Sequence, residues 1–205
     1  MGIRLLLATN NPNKAREIRE ILRELPVEVF TPAETGIPFE VVEDGETFLE
    51  NARKKAREAS RLWDGFVLAE DSGLEVDALG GAPGVHSARF AGEEATDEAN
   101  IRKLLKAMES VPDEKRSARF RCVMVLVDSR GSEKVFEGTV EGRIIHEMKG
   151  KEGFGYDPVF MIEGYGKTFA ELGPDVKNRI SHRAEALRKV RLALQEILEG
   201  RSSPY

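Results

Sequence analysis

Apolar residues follow two rhythms along this chain. Short unbroken runs at Ile3–Ala8 and Phe66–Ala69 fit buried strands of an α/β sheet, and Val27–Phe30 fits another. Ala118, Phe120, Cys122 and Met124 alternate with their neighbours. That spacing predicts a strand, with Lys134–Ile145 returning antiparallel across the turn Asp128-Ser129-Arg130-Gly131. Helical spacing takes over elsewhere. Asn11 as N-cap and Pro12 at the first helical position precede Ile18, Ile21, Leu22 and Leu25, and Pro26 stops that helix. Phe48, Ala52, Ala56, Ala59 and Trp63 mark a second helix starting near Gly45–Thr47. Ile101, Leu104, Leu105 and Met108 mark a third within Thr96–Met108. Leu187, Val190, Leu194, Ile197 and Leu198 mark the last, over His182–Glu199. Thr31–Asp44 reads as loop, as do the glycine-rich stretches Gly80–Gly84 and Gly150–Pro158, and the strand Phe66–Ala69 is expected to end in Glu70-Asp71-Ser72-Gly73. The order strand, helix, strand, helix, strand, hairpin, helix predicts an α/β fold, a mixed β-sheet flanked by helices, as one domain over residues 1–205.

Composition removes several classes. With 40% hydrophobic residues, the 205-residue chain can bury a sizeable core, and disorder is not expected. No apolar run approaches the length of a membrane span, and the opening segment is too short for a signal peptide. A single cysteine, Cys122, cannot form an internal disulfide, so a cytoplasmic location is expected, and its alternating strand context makes it core packing. The net charge of −5 argues against binding long nucleic acid, which needs a basic footprint, but leaves room for a small polyphosphate held by a few cations. There is no Walker-type Gly-Lys-Ser/Thr loop, no zinc-ligand spacing among His86, His146 and His182, and no G-x-S-x-G elbow.

Four polar or glycine-rich segments sit where α/β proteins place ligands. Thr9-Asn10-Asn11-Pro12-Asn13-Lys14 opens a helix, whose free N–H groups attract phosphate. Lys14 in that first turn opposes the dipole, a conflict that an anion would relieve. Glu70-Asp71-Ser72-Gly73 puts two carboxylates side by side, and Glu43-Asp44-Gly45-Glu46 adds more. Hard oxygen donors of this kind suit Mg²⁺. In Gly153-Phe154-Gly155-Tyr156-Asp157-Pro158 the glycines admit a flat ligand, with Phe154 or Tyr156 available to stack on a base. Lys177 and Ser181-His182-Arg183 bring donors to the start of the last helix.

Together with Gly80-Gly81-Ala82-Pro83-Gly84 and Ser87-Ala88-Arg89-Phe90, these segments resemble, in order and over nearly the whole chain, the inosine/xanthosine triphosphate pyrophosphatase family. The resemblance implies an elongated fold of two lobes with a central cleft, a homodimer, and Mg²⁺-dependent hydrolysis of ITP, dITP and XTP to the monophosphate plus pyrophosphate. It implies a phosphate-binding start at Thr9, Asn10 and Lys14, with Lys55 a further basic position. Asp71 matches the catalytic base and a metal contact, Glu43 the second metal ligand, and Ser72 a substrate-binding neighbour. Phe154, Gly155, Tyr156, Asp157, Lys177, His182 and Arg183 match the purine pocket, where donors from His182 or Arg183 would favour a 6-oxo base. Glu70 stands where the family often has Asp, and it is assigned no strict role. Asp44, Glu46 and Glu70 remain alternatives to Glu43 as the second metal ligand. A pyrophosphatase of the pyrimidine or methylated-nucleotide type is one rival reading. A non-catalytic nucleotide sensor is another, and the acids at 43 and 71 argue against it.

Overall fold

The computed structural model describes residues 2–200. Its seven strands are β1 (Ile3–Leu7), β2 (Val27–Phe30), β3 (Phe66–Val76), β4 (Ser117–Val127), β5 (Glu133–Ile144), β6 (Phe160–Ile162) and β7 (Lys167–Thr168). They lie in one sheet in the order β2-β1-β3-β4-β5-β6-β7. β1 runs parallel to β2, with Leu5 opposite Val29, and parallel to β3, with Leu5 opposite Phe66. β6 is antiparallel to β5 and to β7, so the sheet is mixed, as the element order predicts. Helices are α1 (Pro12–Leu22), α2 (Pro32–Thr35), α3 (Phe48–Ser60), α4 (Asp97–Ala107), α5 (Phe169–Leu172), α6 (Pro174–Ile180) and α7 (His182–Leu198). The chain divides into two compact units. The first comprises Met1–Asp71, Cys122–Gly138 and Arg183–Tyr205, the second Ser72–Arg121 and Thr139–His182.

In the first unit the period-two pattern of the strands sorts side chains between two cores. Leu5 and Leu7 of β1 join Cys122, Met124 and Leu126 of β4 against Ile18 and Leu22 of α1 and Leu187, Val190 and Leu194 of α7. Leu6, Ala8, Val67, Ala69, Val125 and Val127 face the other way, onto Ala52, Ala56 and Ala59 of α3. The alanine stripe lets α3 lie close to the sheet. The first core holds longer side chains, each contributing about 1.5–3 kcal/mol on burial. The second unit has one core in which Leu74, Val76, Ile101, Leu104 and Met108 meet Phe120, Tyr156, Phe160 and Phe169. Arg116, fully buried there, donates from Nε to the Ile144 carbonyl (2.7 Å) and from Nη1 to the Met108 carbonyl (2.8 Å). It thereby places a cation at the C-terminal end of α4, where the helix dipole favours one.

Three sequence expectations change. The strand read as Phe66–Ala69 continues to Val76, so Glu70 and Asp71 lie inside it rather than past its end. Buried partners for both acids, described below, make that possible. The stretch Thr31–Asp44 is not all loop. Thr31 caps α2 through a capping box with Glu34, and Gly36 closes it at φ 69°. The first helix stops at Leu22, short of Pro26. Among the described residues, no helix is long and apolar enough to cross a membrane.

Candidate active site

The first unit gathers a charged group around β3. Asn11 caps α1 as its sequence position predicts: its Oδ1 accepts from the N–H of Asn13 (2.9 Å) and of Lys14 (3.2 Å). Thr9 Oγ1 accepts from the Asn11 N–H at 3.1 Å, and Asn10 Nδ2 donates to the Phe39 carbonyl at 2.7 Å. Asn10 therefore ties the start of α1 to the loop that carries Glu43. The anion expected beside Lys14 is in place within the protein. Lys14 Nζ lies 2.8 Å from Glu70 Oε1.

Glu70 is buried and doubly held. Arg183 donates from Nε (2.7 Å) and Nη2 (3.2 Å) to its two oxygens, and from Nη1 to Glu17 of α1. Burial alone would raise the Glu70 carboxyl, but Arg183 and Lys14 outweigh it and hold it well below the usual range. The same carboxylate keeps Lys14 charged against its own burial. Cys122 Sγ donates to Glu70 Oε2 at 3.4 Å, and burial next to that negative charge pushes the thiol well up. It is core packing, as its strand context indicates, not a thiolate nucleophile.

Asp71 meets a different set. Its Oδ2 accepts from Asn51 Nδ2 at 3.0 Å, and its Oδ1 lies 3.9 Å from Lys55 Nζ. The same ammonium is 3.1 Å from Glu43 Oε1. Two carboxylates thus face one cation. Burial raises the Asp71 carboxyl and Glu43 adds to the effect, against the pull of Lys55, Lys14 and the Asn51 hydrogen bond. Asn51, fully buried on α3, also accepts at Oδ1 from the Gly45 N–H (2.8 Å), so it joins the acidic loop to the strand acid. A Cβ at Gly45 would meet Asn51 Oδ1 at 2.7 Å, which leaves room for nothing larger. Asp44 is paired outward with Lys54 at 2.6 Å, and the Glu46 N–H donates to Glu50. Of Glu43, Asp44 and Glu46, it is Glu43 that shares the Lys55 ammonium with Asp71. Among the described residues, no group of three or more His, Cys, Asp or Glu side chains converges on one point. An oxygen pair of this kind fits Mg²⁺, which binds through one or two carboxylates and completes its shell with water and phosphate oxygens.

In the second unit the loop Gly153–Asp157 is built around Phe154. Asp157 Oδ2 accepts from the Phe154 N–H (3.0 Å) and from Lys177 Nζ (2.6 Å), both side chains being buried. Gly153 sits at φ 82°, and a Cβ there would strike Asp157 Oδ2 at 2.1 Å, so glycine is required twice over. Lys177 Nζ lies 4.2 Å from the centre of the half-buried Phe154 ring. Tyr156, the other candidate for stacking on a base, is buried in the core, and its hydroxyl donates to the Ser87 carbonyl at 2.7 Å. Phe154 is the less enclosed of the two, half-buried where Tyr156 is buried. The Gly155 N–H donates to Asp97 Oδ2 at 2.7 Å. His182 is buried and stacks on Phe120, with ring centres 4.9 Å apart at 12°. Ser72 is half-buried in β3, immediately after Asp71.

The structure thus brings Lys55, Glu43 and Asp71 together in the first unit, and Phe154, Asp157 and Lys177 together in the second. The Arg183 guanidinium is buried in the first unit, paired with Glu70 and Glu17. Sequence reading passed over Asn51, Glu17 and Asp97. Asn51 did carry a signal, being a polar residue on the face of α3 set by Phe48, Ala52 and Lys55. The partners of Glu17 and Asp97 lie 166 and 58 residues away, beyond any local pattern.

Residues 5–193 match the model of the Ham1 family. The chain is 48% identical over 198 residues to a dITP/XTP pyrophosphatase of Caldanaerobacter subterraneus subsp. tengcongensis, covering 96% of this chain and 98% of that one. It is 46% identical to a Bacillus subtilis protein of the same name, covering 93% and 96%. A solved HAM1 protein from Coxiella burnetii superposes with a TM-score of 0.86 at 42% identity, covering 95% of this chain and 99% of that one.

Proposed function

The chain belongs to the Ham1 family, and from that premise we infer that it hydrolyses the non-standard purine nucleoside triphosphates ITP, dITP and XTP to the monophosphate and pyrophosphate. The observation that carries this reading is the Lys55 ammonium between the Glu43 and Asp71 carboxylates, beside the capped start of α1. Charge of both signs, partly buried, is what cleavage of a phosphoanhydride asks of a protein.

Glu43 and Asp71 would hold Mg²⁺. When bound, the ion neutralises phosphate oxygens and makes water a better nucleophile at neutral pH. Asp71, its carboxyl raised by burial, accepts a proton from the attacking water. The water oxygen bonds to the α-phosphorus, the bond from that phosphorus to the bridging oxygen breaks, and pyrophosphate leaves with the bridging oxygen. Lys55 and Lys14 are placed to offset its growing negative charge, Lys14 being kept protonated by Glu70. Asn51 holds Asp71 in orientation. Thr9 and Asn10 shape the loop before α1 that receives phosphate.

In the second unit, the Phe154 ring offers a stacking face to a purine. Lys177 and His182 supply cationic or N–H donors suited to a carbonyl oxygen. An adenine amine in the same position would leave those donors without an acceptor, which penalises ATP. The same reading carries a cytoplasmic location and a homodimer.

Pyrophosphate release from ITP, XTP, dITP, GTP, ATP and a pyrimidine triphosphate, with Mg²⁺ and with a chelator, tests the proposal. Fast release from ITP and XTP, little from ATP and none under chelation is the expected result. Equal rates on the pyrimidine triphosphate would favour the pyrimidine-type rival. Bound nucleotide without release would favour a sensor.

A further inference from the structure

The loop that carries Phe154 has glycine on both sides of the ring, at φ 82° for Gly153 and 60° for Gly155. Left to itself, such a segment samples many backbone states, because glycine restricts neither. A base can stack only on a ring whose tilt is fixed. The N–H of Phe154 is held locally, by Asp157 three residues on. The two residues after the ring are held from a distance, Gly155 by Asp97 and Tyr156 through Ser87.

Both of those anchors belong to one rigid piece. Asp97 is the first residue of α4, behind Thr96, whose Oγ1 accepts from the Ala99 N–H at 3.2 Å. One turn further, Asn100 is buried and grips the segment that carries Ser87. It donates from Nδ2 to the Ala88 carbonyl (3.0 Å) and accepts at Oδ1 from the Ala91 N–H (2.7 Å). Ser87 Oγ in turn accepts from the Leu74 N–H (2.9 Å) of β3 and donates to the Gly84 carbonyl (2.6 Å). The first turn of α4 and the Gly84–Ala91 segment therefore form a clasp, onto which Gly155 and Tyr156 dock side by side.

We propose that Asp97 is a positioning residue for recognition of the base: its carboxylate, by fixing the Gly155 N–H, sets the attitude of the Phe154 ring under Lys177. This rests on the reading of Phe154 as the stacking face. Removing the carboxylate leaves the Tyr156 and Asp157 anchors in place, so the fold persists while the ring loses its register.

The test compares Asp97→Ala, Asp97→Asn and Glu98→Ala. Glu98 neighbours Asp97 in the same helical turn but is paired outward with Arg102, so its variant controls for loss of a negative charge at the helix start. Asp97→Ala is expected to raise KM for ITP about three- to tenfold, with kcat within about twofold and the melting temperature nearly unmoved. Asp97→Asn, whose amide oxygen still accepts from Gly155, should recover most of that loss, and Glu98→Ala should show none. Inhibition by inorganic tripolyphosphate, which has no base, should be the same in all three as in the wild type. An unchanged KM in Asp97→Ala, or a tripolyphosphate inhibition constant that rises in step with it, overturns the proposal. Should the wild type release no pyrophosphate at all, the functional reading fails instead. Equilibrium binding of ITP to wild type and Asp97→Ala then decides the role of Asp97 by the same ratio.

Discussion

Glu70 and Asp71 are neighbours in β3, both buried, yet their surroundings drive them in opposite directions. Successive strand residues point to opposite faces of a sheet. Glu70 meets α1 and α7, where Lys14 and Arg183 more than compensate it, and its carboxyl sits well below the ordinary range. Asp71 meets α3, where the Lys55 ammonium is shared with Glu43, and burial together with Glu43 raises its carboxyl against the pull of Lys55 and Lys14. A fully compensated buried carboxylate builds structure. One whose carboxyl is raised by burial takes up a proton more readily. Two adjacent acids that look alike in sequence are thus assigned different work by the elements that face them.

The sharpest way to break this contrast is to neutralise each acid in turn. Asp71→Asn should lower kcat for ITP by about a thousandfold or more while ITP still binds, since it removes the proton acceptor without changing shape. Glu70→Ala should act on folding. It strips the shared counterion from half-buried Lys14 and buried Arg183, and a loss of about 3–5 kcal/mol should appear as a lower urea midpoint. If Glu70→Ala instead leaves the midpoint unmoved and abolishes turnover, the division of labour is reversed.

A smaller effect is expected at Asn51, which links Asp71 to the Gly45 backbone. Asn51→Ala should cost about 1–3 kcal/mol of stability, because two buried partners lose their hydrogen bond, and should slow turnover by about tenfold. Chevron analysis alongside steady-state rates checks both. The smallest effect is a difference in pH dependence, measured in chelator. The raised carboxyl of Asp71 favours the folded state only while protonated, so its contribution is lost as pH rises through its folded value. Asp71→Asn should therefore be the more stable protein at pH 7, with the gap closing as pH falls toward the ordinary Asp value of 3.8. Glu70 carries the opposite sign. Its contribution is present above the ordinary Glu value of 4.5 and is lost only as pH falls well below it. Midpoints of the two variants and the wild type across pH 3–8 (an interval of about five units spanning both ordinary values) measure both trends.

Much of the scaffold was legible because its causes are local. The cap at Asn11 with Pro12 behind it, the alanine stripe of α3 and the alternation in β4 all follow from neighbours a few residues apart. The capping signal at Thr47 with Glu50 marks the start of α3 within a residue or two of its expected place. The sequence predicts a shorter β3 because Glu70-Asp71-Ser72-Gly73 carries the residue types that usually end a strand. The partners that allow charge inside it come from residues 14, 51, 55 and 183. Arg183 was legible as a donor but not as a partner of Glu70, 113 positions away. The choice between Phe154 and Tyr156 needed the Ser87 carbonyl, 69 positions from Tyr156. Sequence patterns report which chemistry is present, and tertiary pairing decides which of those groups is already spent.

The most direct test of the central claim is single-turnover release of pyrophosphate from ITP by Asp71→Asn, under conditions where ITP is fully bound. The account predicts bound ITP and a release rate lower than wild type by about a thousandfold or more. Release within about tenfold of wild type would contradict it, and would remove Asp71 from the chemistry.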